Sequence, residues 1–298
     1  MSLYRFIAAE KANHSISLMC RLLGVSRSGF HAWERPPSDR ALADAWLVAR
    51  ITRIHHESRG TYGARRVHAA LRREGIRVGR KRVERLMGAR RLSGAVPRRR
   101  ARTTIRVPGV RPVADLVARD FVPATPNQLW VADIKYIPTA AGWLHLAAVV
   151  DCFSRRVVGW SMRDDLRAEL VVDALEMAVA RRRPAPGVVH HSDQGSQYVS
   201  LLFGERCREA GIEISMGCTS AYDNAVAESF FASLTKDLLR RRELRSPAEA
   251  RTAVFDYIET FYNPLRLHST LDYLSPVDYE NMKEEEEEEE EEEEQQAA

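Results

Sequence analysis

From Gln128 onward, apolar and polar residues follow the two-residue rhythm of extended chain. Leu129–Ile137 and Trp143–Val150 predict two strands, and Arg155–Ser161 a third, entered through Asp151-Cys152-Phe153-Ser154. The connections are short enough to make all three antiparallel. The period then lengthens. Positions from about Arg167 to Arg182 read as an amphipathic helix, followed by a short buried strand at Val188–His191, a helix near Leu201–Ala210 and a last strand at Ile212–Ser215. The predicted order is βββαβαβα, an α/β arrangement. Two longer helices follow, over about Asn224–Arg242 and Pro247–Tyr262, and Pro247 after Ser246 suits a first helical turn.

The N-terminal third has a different texture, with short helical runs punctuated by single glycines. The run from Ser17 predicts a helix that stops at Gly24, and Ser26 is placed to cap the next one through Trp33. This is helix-turn-helix spacing. Gly63–Glu74 and Arg80–Met87 repeat the theme around Gly75 and Gly79, and the second of these helices carries Arg80, Lys81, Arg82 and Arg85. Spacing alone fits any small helical bundle as well as a DNA reader. The chain therefore divides into a helical region at 1–92, a basic proline-containing linker at 93–126, an α/β core at 127–245, a helical segment at 246–283 and an acidic tail at 284–298. The linker holds Arg98, Arg99 and Arg100, which are suited to tracking a phosphate backbone. The tail, Glu284–Glu294 followed by Gln295-Gln296-Ala297-Ala298, is expected to be disordered through self-repulsion.

Charge sharpens this division. The 298 residues carry a net charge of only +4, but residues 1–120 hold 27 Lys and Arg against 9 Asp and Glu, and residues 121–283 hold 18 against 21. Arginine outnumbers lysine 40 to 5. Codon bias accounts for arginine over lysine but not for the crowding of positive charge into one half, which favours a polyanion such as duplex DNA. No run of apolar residues is long enough to span a membrane, and Met1–Ser15 lacks a signal-peptide core. A cytoplasmic protein is expected. The cysteines, Cys20, Cys152, Cys207 and Cys218, form no C-x-x-C pair and suggest neither a disulfide framework nor a zinc site.

Three acids stand where this element order can gather them. Asp133 interrupts an apolar strand, Asp193 directly follows the Val188 strand, and Glu228 lies in the first turns of the helix after Asn224. A carboxylate within an apolar strand is costly unless it is paired or bound to a cation. Singly, each has an ordinary reading: Asp133 an edge acid beside Lys135, Asp193 a turn former, Glu228 a surface carboxylate. Together they would suit Mg²⁺ or Mn²⁺, in a pair of ions that activates water or a hydroxyl at a phosphodiester. Asn224 and Asp223 are placed to cap the Glu228 helix. His191 stands to touch the site or brace the backbone, and Gln194, Gly195 and Gln197 form a turn that either admits a DNA strand or is only a turn. Arg266 and His268 read equally as phosphate contacts or as packing partners of Tyr262.

The wording around these acids resembles a known family. Trp130–Ile134, His191–Tyr198 and Tyr222–Phe231, with Phe261–Leu271 and Leu274-Ser275-Pro276, are similar to the signatures of transposases of the insertion-sequence-three family, in the second-reading-frame product, OrfB. The resemblance runs from Gly60-Thr61-Tyr62-Gly63 to Glu280. It implies an RNase H-like integrase core, a mixed five-stranded sheet with flanking helices, preceded by a small helix-turn-helix region. It also implies an Asp-Asp-Glu triad at Asp133, Asp193 and Glu228, and Mg²⁺-dependent strand cleavage and transfer at the ends of an insertion sequence. The implied partners are terminal and target DNA, further copies of the chain in a synaptic complex, and the first-frame (OrfA) product as a fusion or partner. Two departures stand out: 34 residues separate Asp193 from Glu228 where the family usually has 35, and a lysine expected seven residues after the glutamate stands eight after it, as Lys236. Without the resemblance, a non-enzymatic DNA-binding module or a nuclease that cuts without joining would fit the same residues.

Overall fold

The computed structural model describes residues 2–96, 113–217 and 224–297. At its centre lies a five-stranded sheet of order β3-β2-β1-β4-β5, built from β1 (Leu129–Thr139), β2 (Gly142–Asp151), β3 (Val157–Arg163), β4 (Val189–Ser192) and β5 (Glu213–Met216). The first three strands are antiparallel, with Trp130 opposite Asp151 and Ala147 opposite Ser161. β4 joins β1 in parallel, with Val131 level with His191, and β5 is parallel to β4. Parallel neighbours need a crossover, which the helices between the strands provide.

Side-chain alternation sends the two faces of β1 and β2 into different cores. Trp130, Ala132, Ala147 and Val149 pack with residues of α7 (Glu169–Arg182) and α8 (Leu201–Glu209). Leu129, Val131, Ile137, Leu144 and Val150 face the other way, toward α9 (Ala225–Leu234) and α10 (Pro247–Tyr257). Both of these helices continue as wider π turns, at Thr235–Leu239 and Ile258–Tyr262.

The N-terminal third forms six helices among the described residues: α1 (Leu3–Glu10), α2 (Ile16–Leu22), α3 (Arg27–Glu34), α4 (Asp39–Glu57), α5 (Ala64–Arg73) and α6 (Arg80–Ala89). Serine hydroxyls at positions 2, 15, 26 and 38 accept backbone N–H groups at the starts of the first four, satisfying donors that a helix start leaves open. The two groups of helices bury their apolar faces differently. Leu47, Ile51 and Ile54 of α4, Val67 and Leu71 of α5, and Val83 and Leu86 of α6 belong to the same hydrophobic core as Val131 and Leu144 of the sheet. Ile7, Met19, Cys20 and Phe30 of α1–α3 form a small core of their own.

At the C-terminus the expectation of disorder is corrected. A helix, α11 (Pro276–Ala297), runs through the glutamate tract. Its first turns are fixed at Glu280, which is buried and accepts hydrogen bonds from Ser154 Oγ at 2.7 Å, Arg182 Nη1 at 2.9 Å and Arg156. Burial opposes ionisation there, yet Arg182, Ser154 and Arg156 hold the carboxyl below its usual range. Nucleation is the costly step of helix formation, and here tertiary contacts meet it before the glutamates begin. Glutamate's high helix propensity then extends the helix against side-chain repulsion.

Candidate active site

β1 and β4 pair in register at Leu129 with Val189, Trp130 with His190 and Val131 with His191. Two residues further along stand Asp133, still within β1, and Asp193, the first residue past the end of β4, so the parallel register leads the two acids toward each other at the ends of neighbouring strands. Asp133 shares the sheet face of Val131, the face on which α9 packs through Val226, Phe230 and Phe231. Glu228 lies in the first turn of that helix. Asn224 ties the helix start to the strand: its side-chain NH₂ donates to the carbonyl of Ala132 at 2.7 Å. The expectation that Asn224 caps α9 with its side chain is thereby corrected, because the amide is spent across to β1 and makes no cap hydrogen bond. Asp223 lies outside the described residues.

The electrostatics follow this gathering. Burial pushes the carboxyl of Asp133 up to about 7, Asp193 and Glu228 add to the rise, and the Ile134 N–H, donating to Oδ1 at 2.7 Å, and Lys135 oppose it. Asp193 is open on one side but crowded by surrounding chain, and lost solvation raises its carboxyl against a hydrogen bond from the Gly195 N–H at 3.1 Å. Beneath the pair lies Tyr198, a residue that sequence reasoning passed over. Its hydroxyl is buried with no hydrogen-bond partner among the described residues, and burial, then Asp133 and Asp193, raise the phenol well above its ordinary range. Its place at the end of the His191–Tyr198 run was the available signal.

Several neighbours serve the scaffold. His191 Nδ1 lies 2.8 Å from Ser215 Oγ, a link between β4 and β5 that fits the bracing role. Gln194 donates to the Gly217 carbonyl at 3.3 Å and Gln197 to the Leu166 carbonyl at 2.9 Å, which tie down the turn after Asp193.

The expected DNA contacts divide. Arg266, one of them, is 3% exposed and donates from Nε to Asp237 Oδ2 at 2.8 Å, so it is a buried partner and not a surface cation. Lys236 is likewise turned inward, with Nζ 3.6 Å from Asp237 Oδ1. It lies within the π turn that follows α9. On α6, Arg80 pairs with Glu84 at 3.2 Å, and Arg82 and Arg85 each reach a different oxygen of Asp44 at 2.7 Å. Arg85 and then Arg82 hold that carboxyl below its usual range. Lys81 is exposed. Arg98, Arg99 and Arg100 lie outside the described residues.

Among the described residues, no three His, Cys, Asp or Glu side chains are drawn into a ready-made metal cage. The donor chemistry nonetheless fits a hard divalent cation. Asp133 and Asp193 are oxygen donors raised by burial, and mutual repulsion with Glu228 adds a cost that a bound cation would remove.

The integrase core domain family matches residues 123–221 and again 228–283, and an HTH-like domain family matches residues 41–100. The transposase for insertion sequence element IS629 of Shigella sonnei is 41% identical over 277 residues, covering 91% of this chain and 93% of the relative. The transposase InsF for insertion sequence IS3A of Escherichia coli K12 is 37% identical over 288 residues, covering 93% and 98%. Among solved structures, the HTLV-2 integrase catalytic core domain in complex with magnesium, in its dimeric form, is similar with a TM-score of 0.38 and 20% identity, over 52% of this chain and 96% of that one. No helix is long and apolar enough to cross a membrane among the described residues. An HTH-like domain, an integrase core on a mixed five-stranded sheet and transposase relatives alike over nearly their full length agree with one another: the chain belongs to the insertion-sequence transposases of the IS3 family.

Proposed function

We propose that this chain cleaves DNA strands at the ends of an insertion sequence and joins the freed 3′ ends to a second duplex, with Asp133, Asp193 and Glu228 holding Mg²⁺ or Mn²⁺. The observation that supports this reading is the parallel β1–β4 register, which leads toward Asp133 and Asp193, together with the charges of Asp193 and Glu228 acting on the Asp133 carboxyl. Two divalent ions, when bound, supply charge neutralisation and activation of the attacking oxygen. The residues do the rest by position. Asp133 is held rigidly within a strand, Asp193 is aimed by the Gly195 N–H, and Glu228 is set by the tie from Asn224 to Ala132. Such placement of reacting groups is itself a large part of phosphoryl-transfer catalysis.

The chemistry balances without a covalent protein intermediate. In cleavage, a water oxygen attacks phosphorus and the 3′ oxygen leaves with a proton. In joining, that 3′ oxygen attacks a target phosphorus, and one phosphodiester forms as another breaks. Two ends must be held together for this, so further copies of the chain belong to the reading, and the first-frame product is its natural accessory.

The test incubates the full chain, with and without the first-frame product, on supercoiled plasmid bearing the element ends, in Mg²⁺ and in Ca²⁺. Nicked and joined products in Mg²⁺ that disappear with Asp193→Asn, while DNA binding stays, support the reading. The loss should exceed the roughly 10–100-fold that a merely supporting partner of a metal ligand costs. Activity that persists in the variant would overturn the triad, and nicking with no joined product would make the chain a nuclease.

A further inference from the structure

The matched HTH-like domain begins at residue 41, which leaves α1–α3 outside it. These helices are a separate unit, with their own core and a join to α4 that contains Pro36 and Pro37. Their local geometry is specific. α2 ends in a Schellman arrangement: the Val25 N–H reaches back to the Cys20 carbonyl at 3.0 Å, across Gly24, whose φ of +68° few other residues adopt. Four residues, Leu23–Ser26, separate α2 from α3, and Ser26 Oγ accepts the Gly29 N–H at 3.1 Å. That is the tight, glycine-containing turn of a helix-turn-helix.

The inward side of the unit is closed by aromatics. Phe30 is fully buried, and Tyr4 of α1 stacks on Phe30 and Trp33 with ring centroids at 6.2 and 5.9 Å. The outward side of α3 mixes polar and apolar positions, and Trp33 keeps 44% of its surface exposed. Arg27 and Ser28 are exposed in its first turn, Ala32 is exposed one turn on, and Arg35 is exposed just past its end. The acid that could cancel them is already occupied, because Glu34 pairs with Lys11 and His31. Arg21, Arg27 and Arg35 are exposed and make no ion pair among the described residues, so the surface of the unit carries uncompensated positive charge, with Arg27 at the start of α3.

We propose that α1–α3 is a second, sequence-reading DNA-binding unit, whose helix α3 enters the major groove of duplex DNA with Arg27 and Ser28 at the base edges. In a helix-turn-helix the second helix lies in the groove with its N-terminal residues on the bases, and arginine is the side chain best suited to guanine there. Recognition is then bipartite, with α3 reading one block of base pairs and α4–α6 another. The proposal shares with the functional reading above only its ligand, duplex DNA.

The experiment selects duplexes from a pool with a randomised centre, using the full chain as wild type and as Arg27→Ala, Ala32→Glu, Lys81→Ala and Asp193→Asn. All four positions are outside the hydrophobic cores. The wild type should recover two blocks of preferred sequence. Arg27→Ala and Ala32→Glu should lose one block, Lys81→Ala should keep it, and binding to the selected duplex should fall roughly 10-fold in Arg27→Ala with a far smaller fall on a scrambled duplex. Asp193→Asn should select both blocks whether or not strand transfer proves to need that residue, which separates this inference from the catalytic one. Unchanged selection by Arg27→Ala and Ala32→Glu, an equal fall on selected and scrambled duplexes, or no preferred sequence in the wild type would each overturn it.

Discussion

Arg266 donates from Nε to Oδ2 of Asp237 at 2.8 Å, and both side chains are sealed from solvent. Twenty-eight residues lie between them in the chain, and the pair joins the π turn after α9 to the loop that follows α10. Tyr257 Oη stands 3.3 Å from the same carboxylate oxygen. The neighbouring backbone is also held: Tyr62 Oη accepts the Leu267 N–H at 2.7 Å and donates to the Leu265 carbonyl at 3.0 Å, and Arg66 Nε donates to the Leu267 carbonyl at 2.9 Å. A buried charge left alone is far more costly than a buried pair. Arg266→Met should therefore destabilise the chain by about 3–5 kcal/mol, and the double variant with Asp237→Leu should recover much of that loss. Chemical denaturation of the three proteins reads this directly; equal stability of Arg266→Met and wild type would show that the pair carries no such coupling.

Divalent cations should stabilise the folded chain in the absence of DNA. A ligand that binds only the native state adds stability by mass action, about 2.7 kcal/mol at one hundred times its dissociation constant. A thermal melt of the wild type should move upward with Mg²⁺, and those of Asp133→Asn and Asp193→Asn should move much less. An equal shift in all three would place the ion elsewhere.

His190 sets an acid limit. It is buried against Tyr198 and Phe203, with ring centroids at 5.9 and 5.1 Å, and no side-chain partner for its ring nitrogens stands among the described residues. Burial depresses its pKa from 6.5 to about 4. The unfolded chain therefore takes up a proton between pH 6.5 and 4 that the folded chain refuses, and stability falls as pH drops through that window. His190→Phe should remove this part of the acid slope in denaturation curves run at a series of pH values, while changing stability at pH 7.5 by no more than about 1.5 kcal/mol. A slope unchanged by the substitution would assign it to other groups.

Gly159 permits a close approach between β3 and α7. A Cβ there would lie 2.1 Å from the Ala174 carbonyl oxygen and 2.7 Å from the Ala178 nitrogen, both backbone atoms of α7. Backbone cannot swing aside as a side-chain tip does. Gly159→Ala should lower stability by about 1–3 kcal/mol or more in thermal unfolding, and a neutral result would mean that α7 can lift from the sheet at little cost.

Much of the core was legible because its strands alternate cleanly. β1, β2, β4 and β5 lie within a residue or two of their expected places, and the adjacency of β1 and β4, which the predicted order allowed but did not dictate, is present in the sheet. β3 begins at Val157, two residues later than expected, because Asp151–Arg156 is a turn whose backbone closes on itself. α4 was not read from the sequence: exposed Leu42 and Trp46 share the helix with buried Leu47, Ile51 and Ile54 and blur its apolar stripe. Arg266 and Lys236 were misread for a different reason. Their charge is visible in one dimension, but Asp237, which neutralises both, becomes their neighbour only after the helices pack. Within the shortened stretch between Asp193 and Glu228, residues 218–223 lie outside the described residues.

The core shared by α4–α6 and the sheet has a consequence for how new end specificity is acquired. A chimera cut in the 93–126 segment would divide the cluster that holds Val83 and Leu86 of α6 together with Val131 and Leu144 of the sheet, and would leave both halves with bare apolar surface. The HTH-like part is therefore no interchangeable cassette, and it must change together with the integrase core whose hydrophobic cluster it shares. The seam at which a foreign module can be grafted lies earlier, at Pro36-Pro37, where no apolar core crosses among the described residues.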